Sequence, residues 1–135
     1  MPIGILQHVN IRTDDLAATV AFWEKAIGLY SGDRPNFAFP GAWLYSGDEA
    51  VMHLIDISNT DEKAEKQSGC IDHVAFAAEG FGPFKDRLAD LGYEYEERVV
   101  PGGRLWQLFV RDPNGVLCEL NFEAAKEKAL AEAAE

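Results

Sequence analysis

Apolar residues recur along this chain with two periods, and the periods come in the same order in each half. In the first half, residues 5–11 form a short apolar run that predicts a β-strand. Leu16, Val20 and Trp23 then recur at helical spacing and predict a helix, with Gly28 placed to end it. A stretch rich in glycine, proline and aromatic residues follows and predicts a bent strand and a loop. The run AVMHLIDI completes this half as another strand.

The second half repeats the order of the first. Residues 71–77 predict a strand, and Phe84, Leu88 and Leu91 predict a helix that stops at Gly92. Three further runs, YEYEERVV, RLWQLFVRD and VLCELNF, predict three more strands. The sequence therefore predicts an α+β fold, in which two tandem β-α-β-β-β modules form a mixed sheet.

The length of the chain and its polar stretches predict the domain organisation. With 135 residues the chain is long enough for one compact core and too short for two ordinary domains. Within this single domain we expect module one at 1–57, a polar linker at 58–69, module two at 70–122 and a helical tail at 123–135. The tail is rich in alanine, glutamate and lysine, so its helix is marginal unless it docks.

The excess of acidic residues argues against two classes of binding partner. A net charge of −11 repels phosphate backbones and anionic membrane surfaces, so we expect no nucleic-acid partner and no membrane partner. The first residues lack the basic and apolar regions of a secretory signal, and no apolar stretch approaches the length of a membrane span. Two cysteines without CxxC spacing fit a reducing compartment. We therefore expect a cytoplasmic protein.

The three histidines and one glutamate of the predicted strands are the candidate chemistry. A lone histidine on a strand is more often a half-buried, hydrogen-bonded side chain than a ligand. Here His8 and His53 are 45 residues apart, and His73 and Glu119 are 46 apart, so the four positions form two matched pairs. Core packing does not explain such a set, whereas imidazole and carboxylate suit divalent transition ions. The pattern predicts one duplicated metal site that takes Ni, Co, Zn or Fe in preference to Mg or Ca.

Strand alternation places mostly apolar residues beside these four candidate ligands, as in a dry ligand pocket. Aromatic and polar residues on neighbouring segments could form the rim of such a pocket. Two of the aromatic residues equally suit the core, and two of the arginines equally suit solvent. The substrate-pocket candidates are Arg34, Phe37, Trp43, Arg104 and Gln107.

The segments LQHVNIRTDDLAATVAFWEKAIGL and FVRDPNGVLCELNF carry a resemblance to a known family. His-Val-x-Ile or His-Val-x-Phe opens each half, and Asp-Pro-Asn-Gly with a following Glu-Leu closes the second half. In these motifs the chain resembles the vicinal oxygen chelate superfamily, which includes glyoxalase I, methylmalonyl-CoA epimerase, fosfomycin-resistance thiol transferases, extradiol dioxygenases and bleomycin-resistance proteins. The resemblance implies a cupped mixed sheet, a homodimer, and metal ligands that map to His8, His53, His73 and Glu119.

One position departs from the members of this family that chelate substrate. Those members have Glu or Gln where this chain has His53, so the resemblance leaves Glu119 as the only carboxylate of the site. A mechanism that needs two bases therefore does not carry over, and Glu119 is the catalytic candidate.

The resemblance implies several functions. The leading hypothesis is a metal-dependent lyase or isomerase of the glyoxalase type, which acts on a small substrate with vicinal oxygens. An Fe(II) extradiol-type dioxygenase is the first alternative, with two histidines and Glu119 as its ligands. A thiol transferase and a metal-free antibiotic-binding protein are the others, although an intact ligand set argues against the last.

Overall fold

The computed structural model describes residues 2–134. They divide into two compact units, with the boundary between Glu65 and Lys66, inside the predicted polar linker. No helix within the described residues is both long enough and apolar enough to span a membrane.

The first unit is a four-stranded mixed sheet with one helical segment. The strand order is β1-β4-β3-β2, in which β1 and β4 run parallel and the other neighbours run antiparallel. A π-helical segment directly continues the helix. The bounds are β1 Val9–Thr13, α1 Leu16–Ala21, the π-helical segment Phe22–Ile27, β2 Tyr30–Ser31, β3 Gly41–Ser46 and β4 Glu49–Asp56.

The predicted first helix is confirmed, but its second half is wider than an α-helix. The Asp15 side chain caps its start by accepting a hydrogen bond from Ala18 N at 3.0 Å. Gly28, at φ +105°, ends it in the left-handed conformation. The carbonyl of Trp23 accepts from the amide of Gly28, five residues further on, which is the pairing of a π-turn, and it also accepts from the amide of Leu29. The apolar spacing in the sequence does not distinguish this turn from an α-turn.

The second unit has the same topology as the first. Its strand order is β5-β8-β7-β6, again with one parallel pair, β5 and β8, and two antiparallel pairs. The α+β fold with two tandem modules is therefore confirmed. The bounds are β5 His73–Ala77, α2 Phe81–Asp90, β6 Tyr95–Val99, β7 Leu105–Arg111, β8 Leu117–Glu123 and α3 Ala124–Ala133.

Strand register shows the duplication residue by residue. Trp43 pairs with His53 across β3 and β4, and Phe109 pairs with Glu119 across β7 and β8. The two pairs occupy equivalent places in the two sheets. The first strand of each module begins later than predicted, β1 at Val9 and β5 at His73, because apolar alternation identifies the face of a strand but not where hydrogen bonding to its partner begins.

The marginal tail helix is docked. Glu127 on α3 is 6% exposed, and its carboxylate accepts hydrogen bonds from Gly80 N at 3.0 Å and Phe81 N at 2.5 Å. These amides lie at the start of α2, where backbone N–H groups have no helical partner. The carboxylate thus caps α2 and holds α3 in place.

Candidate active site

Two of the predicted ligands lie side by side on one face of the second sheet. His73 opens β5, and Glu119 lies at the centre of β8, next to Ala75 in the parallel register. His73 Nε2 is 3.5 Å from Glu119 Oε1. Alternation along β8 keeps the neighbouring Cys118 on the opposite, buried face.

Each member of this pair is held from its other side. His73 Nδ1 donates to Asp72 Oδ2 at 2.8 Å, and Asn121 Nδ2 donates to Glu119 Oε2 at 2.8 Å. Gln107 Nε2 in turn donates to Asn121 Oδ1 at 2.9 Å. The hydrogen bond to Asp72 is the main reason that the pKa of His73 is raised, and the charge of Glu119 raises it further. These bonds leave Nε2 and Oε1 facing each other.

The pair fits a divalent transition ion. Two donors bonded at about 2.0–2.2 Å to one ion lie about 2.8–3.1 Å apart at octahedral angles and about 3.3–3.6 Å apart at tetrahedral angles. The separation of 3.5 Å between His73 Nε2 and Glu119 Oε1 lies within the tetrahedral range. A metal-binding histidine ordinarily donates its second ring N–H to a carboxylate, as His73 does to Asp72.

The pair opens into a cavity of about 970 Å³ within the second unit. Arg98 covers one part of its wall, with its guanidinium carbon 4.9 Å from the centre of the Phe109 ring. The cavity thus combines aromatic surface, two arginines and the ligand pair. Its lining includes Asp72, His73, Tyr95, Arg98, Phe109, Arg111 and Glu119.

The other two predicted ligands form a stack in the first unit. The rings of His8 and His53 lie 3.8 Å apart between centroids at an interplanar angle of 12°. The ring of Trp43 lies 3.9 Å from that of His53, at 10°. Burial lowers the pKa of His53, and the charges of His8 and Arg34 lower it further, so its imidazole is neutral near pH 7.

Three of the predicted pocket residues form one cluster beside this stack. The Arg34 guanidinium lies 4.9 Å from the ring centre of Phe37 and 5.0 Å from that of Phe39. Arg34 Nη2 donates to the carbonyl of Phe39 at 3.0 Å, and the ring of Phe37 lies 6.3 Å from that of Trp43. Phe37 is 41% exposed, so it is not part of the core. The cluster is an aromatic surface next to a predicted ligand.

The pocket role of the remaining two candidates, Arg104 and Gln107, stays a prediction. Arg104 is exposed in the turn before β7, where its carbonyl accepts from Ala124 N at 3.0 Å. Gln107 does not line the cavity but anchors Asn121. The strand register decides which side chains of β7 face this cavity.

The convergence of all four ligands on one ion stays a prediction. Within residues 2–134, no three His, Cys, Asp or Glu side chains form a group that could hold a metal ion. The structure instead shows two pairs, one in each compact unit: His8 with His53, and His73 with Glu119.

Sequence reasoning missed several residues of the second unit. Asp72 was detectable as the neighbour of His73, and Asn121 as a residue on the same strand face as Glu119. Arg98 and Phe109 had no such signal, because only the pairing of β6 with β7 and of β7 with β8 brings them to the ligand pair.

Comparison with known proteins identifies the family. Residues 5–120 match the Glyoxalase/Bleomycin resistance protein/Dioxygenase superfamily, and the chain belongs to it. It is 30% identical to the glutathione transferase FosA of Serratia marcescens, over 86% of this chain and 79% of that protein. It is 24% identical to the lactoylglutathione lyase of Salmonella typhimurium, over 85% of this chain and 90% of that protein.

Solved structures agree on the fold. The fosfomycin resistance protein FosX of Listeria monocytogenes superposes with a TM-score of 0.70 at 19% identity, over 93% of this chain and 98% of that one. Named relatives thus include a lyase and a transferase, so family membership alone leaves the reaction open.

Proposed function

We propose that this protein is a metal-dependent lyase or isomerase of the glyoxalase type that acts on a small substrate with vicinal oxygens. The observation that carries the proposal is the His73–Glu119 pair, 3.5 Å apart, anchored on both sides and open to a cavity. Family membership and the 24% identity to a lactoylglutathione lyase support it.

In this proposal the ion is Ni, Co, Zn or Fe, and its predicted ligands are His8, His53, His73 and Glu119. When bound, it supplies Lewis acidity that polarises a substrate carbonyl and stabilises negative charge on its oxygen. The cavity residues Arg98 and Phe109 bind and orient the rest of the substrate, and Phe109 keeps water from part of the wall.

Glu119 is the base of the proposed reaction. The carboxylate has more lone pairs than the one that would bind the ion and the one that accepts from Asn121 Nδ2, so it would accept the proton that the substrate carbon loses on a lone pair that does not bind the ion. The histidines that bind the ion have no free lone pair on the bound nitrogen. Glu119 is therefore the one ligand of the proposed set that can both receive and return a proton.

A thiol transferase is the second candidate, and one observation favours it. The identity to the glutathione transferase FosA, 30%, exceeds the 24% to the lactoylglutathione lyase. The two reactions need the same Lewis-acid function but differ in the bond formed, because a transferase joins a thiol to its acceptor. An Fe(II) dioxygenase is the third hypothesis for the function of the His73–Glu119 pair.

The proposal includes a homodimer in the cytoplasm. Three large apolar side chains near the start of the chain are exposed to solvent: Ile3 by 82%, Ile5 by 96% and Leu6 by 82%. A second copy of the chain could cover them. Cys70 and Cys118 are free thiols, as expected in a reducing compartment.

The test compares Glu119→Gln with Glu123→Gln, an exposed carboxylate on the same strand. With the glutathione hemithioacetal of methylglyoxal as substrate, Glu119→Gln should lower turnover about 100-fold or more, while Glu123→Gln should not. Solvent deuterium should enter the product carbon. His73→Ala should empty the site in elemental analysis without unfolding the chain.

Three outcomes would contradict the proposal. Equal turnover in the two glutamine variants would remove Glu119 as the base. Product that forms only with O₂, and without deuterium exchange, would favour the dioxygenase. Turnover of an epoxide with glutathione, and none of the hemithioacetal, would favour the transferase.

A further inference from the structure

The two arginines that line the cavity of the second unit differ in what holds them. Arg111 Nη1 donates to the carbonyl of Gly115 at 2.9 Å, so its guanidinium closes the turn between β7 and β8. Arg98 on β6 lies over the ring of Phe109, and it has no hydrogen bond or ion pair with any described residue. A guanidinium carries five N–H donors in a planar fork. Arg98 therefore presents donors to the cavity that no described protein group uses.

Strand register places Arg98 on the same face of the sheet as Glu119. Arg98 pairs with Gln107 on β7, and Gln107 pairs with Asn121 on β8. Side chains directly opposite each other on neighbouring strands share a face, and Asn121 donates a hydrogen bond to Glu119 on its own strand. Only β7 separates β6 from β8, so the backbones of Arg98 and Asn121 are about 9–10 Å apart. A small molecule is long enough to reach from Arg98 to the His73–Glu119 pair.

The half-buried ring of Phe109 lies between the arginine and the ligand pair. Phe109 pairs with Glu119 across β7 and β8, and the guanidinium carbon of Arg98 is 4.9 Å from its ring centre. Stacking on a ring orients a guanidinium while its N–H edge stays free to bind. This face thus has a cation at one end, an aromatic surface in the middle and the His73–Glu119 pair at the other end. It fits a molecule with an anionic end, an apolar middle and a reacting end.

The charges of the cavity favour a carboxylate as the anionic end. Four carboxylates belong to its lining, those of Asp72, Glu94, Glu96 and Glu119. They repel a phosphate dianion more strongly than an anion of single charge. The fork of one guanidinium also matches the two oxygens of one carboxylate.

We propose that Arg98 determines specificity by binding a carboxylate that the substrate carries several bonds away from the carbon that loses its proton. The substrate is then a carboxylate of single charge whose apolar segment packs on Phe109. This inference rests on the proposed function, because it names the substrate class of that site. A substrate whose only carboxylate adjoins the reacting carbon would not reach Arg98.

The test measures the preference for a carboxylate over the uncharged amide of the same shape. The probes are phenylbutyrate, phenylbutyramide and phenylbutyl phosphate. NMR titration of the full chain, as purified and again after metal removal, gives each dissociation constant. Arg98→Gln removes the charge and the fork, whereas Arg98→Lys keeps the charge alone.

Arg87→Gln is the matched control for these variants. Arg87 also stacks on a phenylalanine of the second unit, with its guanidinium carbon 4.2 Å from the ring centre of Phe84, but it does not line the cavity. Its replacement removes the same charge and the same kind of ring contact elsewhere. Circular dichroism checks that each variant is folded.

The expected results differ for each variant. The wild-type chain should bind phenylbutyrate about fivefold more tightly than phenylbutyramide, with and without metal, and the probe should shift signals of β6 and β7. Arg98→Gln should bind the two probes equally. Arg98→Lys should keep a preference of about twofold, because the ammonium lacks the fork and the ring stacking. Arg87→Gln should keep the wild-type preference.

Other results would overturn the assignment. If Arg98→Gln keeps the preference, or if the wild type has none, Arg98 does not bind the carboxylate. A preference that disappears on metal removal would mean that the carboxylate binds the ion. Tighter binding of phenylbutyl phosphate than of phenylbutyrate would assign the site to a phosphate. None of these measurements needs turnover, so an intact preference without lyase activity would refute only the proposed function.

Discussion

The buried carboxylate of Glu127 should contribute measurably to stability through the start of α2. It lies 6% exposed and accepts hydrogen bonds from Gly80 N, at 3.0 and 3.1 Å to its two oxygens, and from Phe81 N at 2.5 Å. A hydrogen bond to a charged group contributes about 1.5–3 kcal/mol. A negative charge at a helix N-terminus adds about 0.3–1 kcal/mol. Removing the side chain also leaves two amides without their acceptor.

The size of the effect should depend on what replaces the carboxylate. Glu127→Ala should lower the free energy of unfolding by about 2–4 kcal/mol, because both amides lose their partner. Glu127→Gln keeps one oxygen within reach and loses the charge, so about 1 kcal/mol is expected. Glu132→Gln is the matched control, since that residue is exposed on the same helix, and it should change stability by less than about 0.5 kcal/mol.

Urea unfolding followed by circular dichroism gives the three free energies, and limited proteolysis reports whether α3 detaches. The Ala variant should release the tail to protease before global unfolding, because few other buried side chains hold α3. An unfolding midpoint for Glu127→Ala equal to that of the Glu132→Gln control would refute the capping argument.

Two further predictions concern the thiols and the assembly. Burial raises the pKa of Cys118 to about 12, and the charges of Asp112 and Glu119 add to the shift. Because a raised pKa leaves the Cys118 thiol protonated at pH 8, Ellman's reagent should react only with the exposed Cys70 in the native chain. In urea it should react with both thiols. Rapid reaction of two thiols in the native chain would contradict the burial of Cys118. Light scattering at micromolar concentration should give twice the 14.9 kDa chain mass, and a monomer mass would refute the dimer.

Local pattern predicted much of the fold because helices and strands have fixed periods. The apolar stripe before Gly28 and the one before Gly92 each correspond to a helical segment, and both glycines have the positive φ expected at a helix end. Strand alternation also orients Glu119 and Asn121 to one face of β8, away from Cys118. These features depend on residues a few positions apart, which the sequence shows directly.

Features that depend on contacts between residues far apart in the chain were harder to predict from the sequence. The first strand begins at Val9 and not at residue 5, since its length is set by pairing with β4. Gln107 donates a hydrogen bond to Asn121, and Arg98, which was not predicted, stacks on Phe109 in the cavity. Each of these outcomes follows from the register between strands, for which a single sequence has no signal.

By itself the sequence determined the two modules, the residue types of the candidate metal site and the face on which each ligand lies. Tertiary structure decided which side chains meet: His73 with Glu119, His53 between His8 and Trp43, and Glu127 at the start of α2. The physical reason is that periodicity orients a side chain relative to its own strand or helix, whereas contacts across strands depend on pairing between residues far apart in the chain.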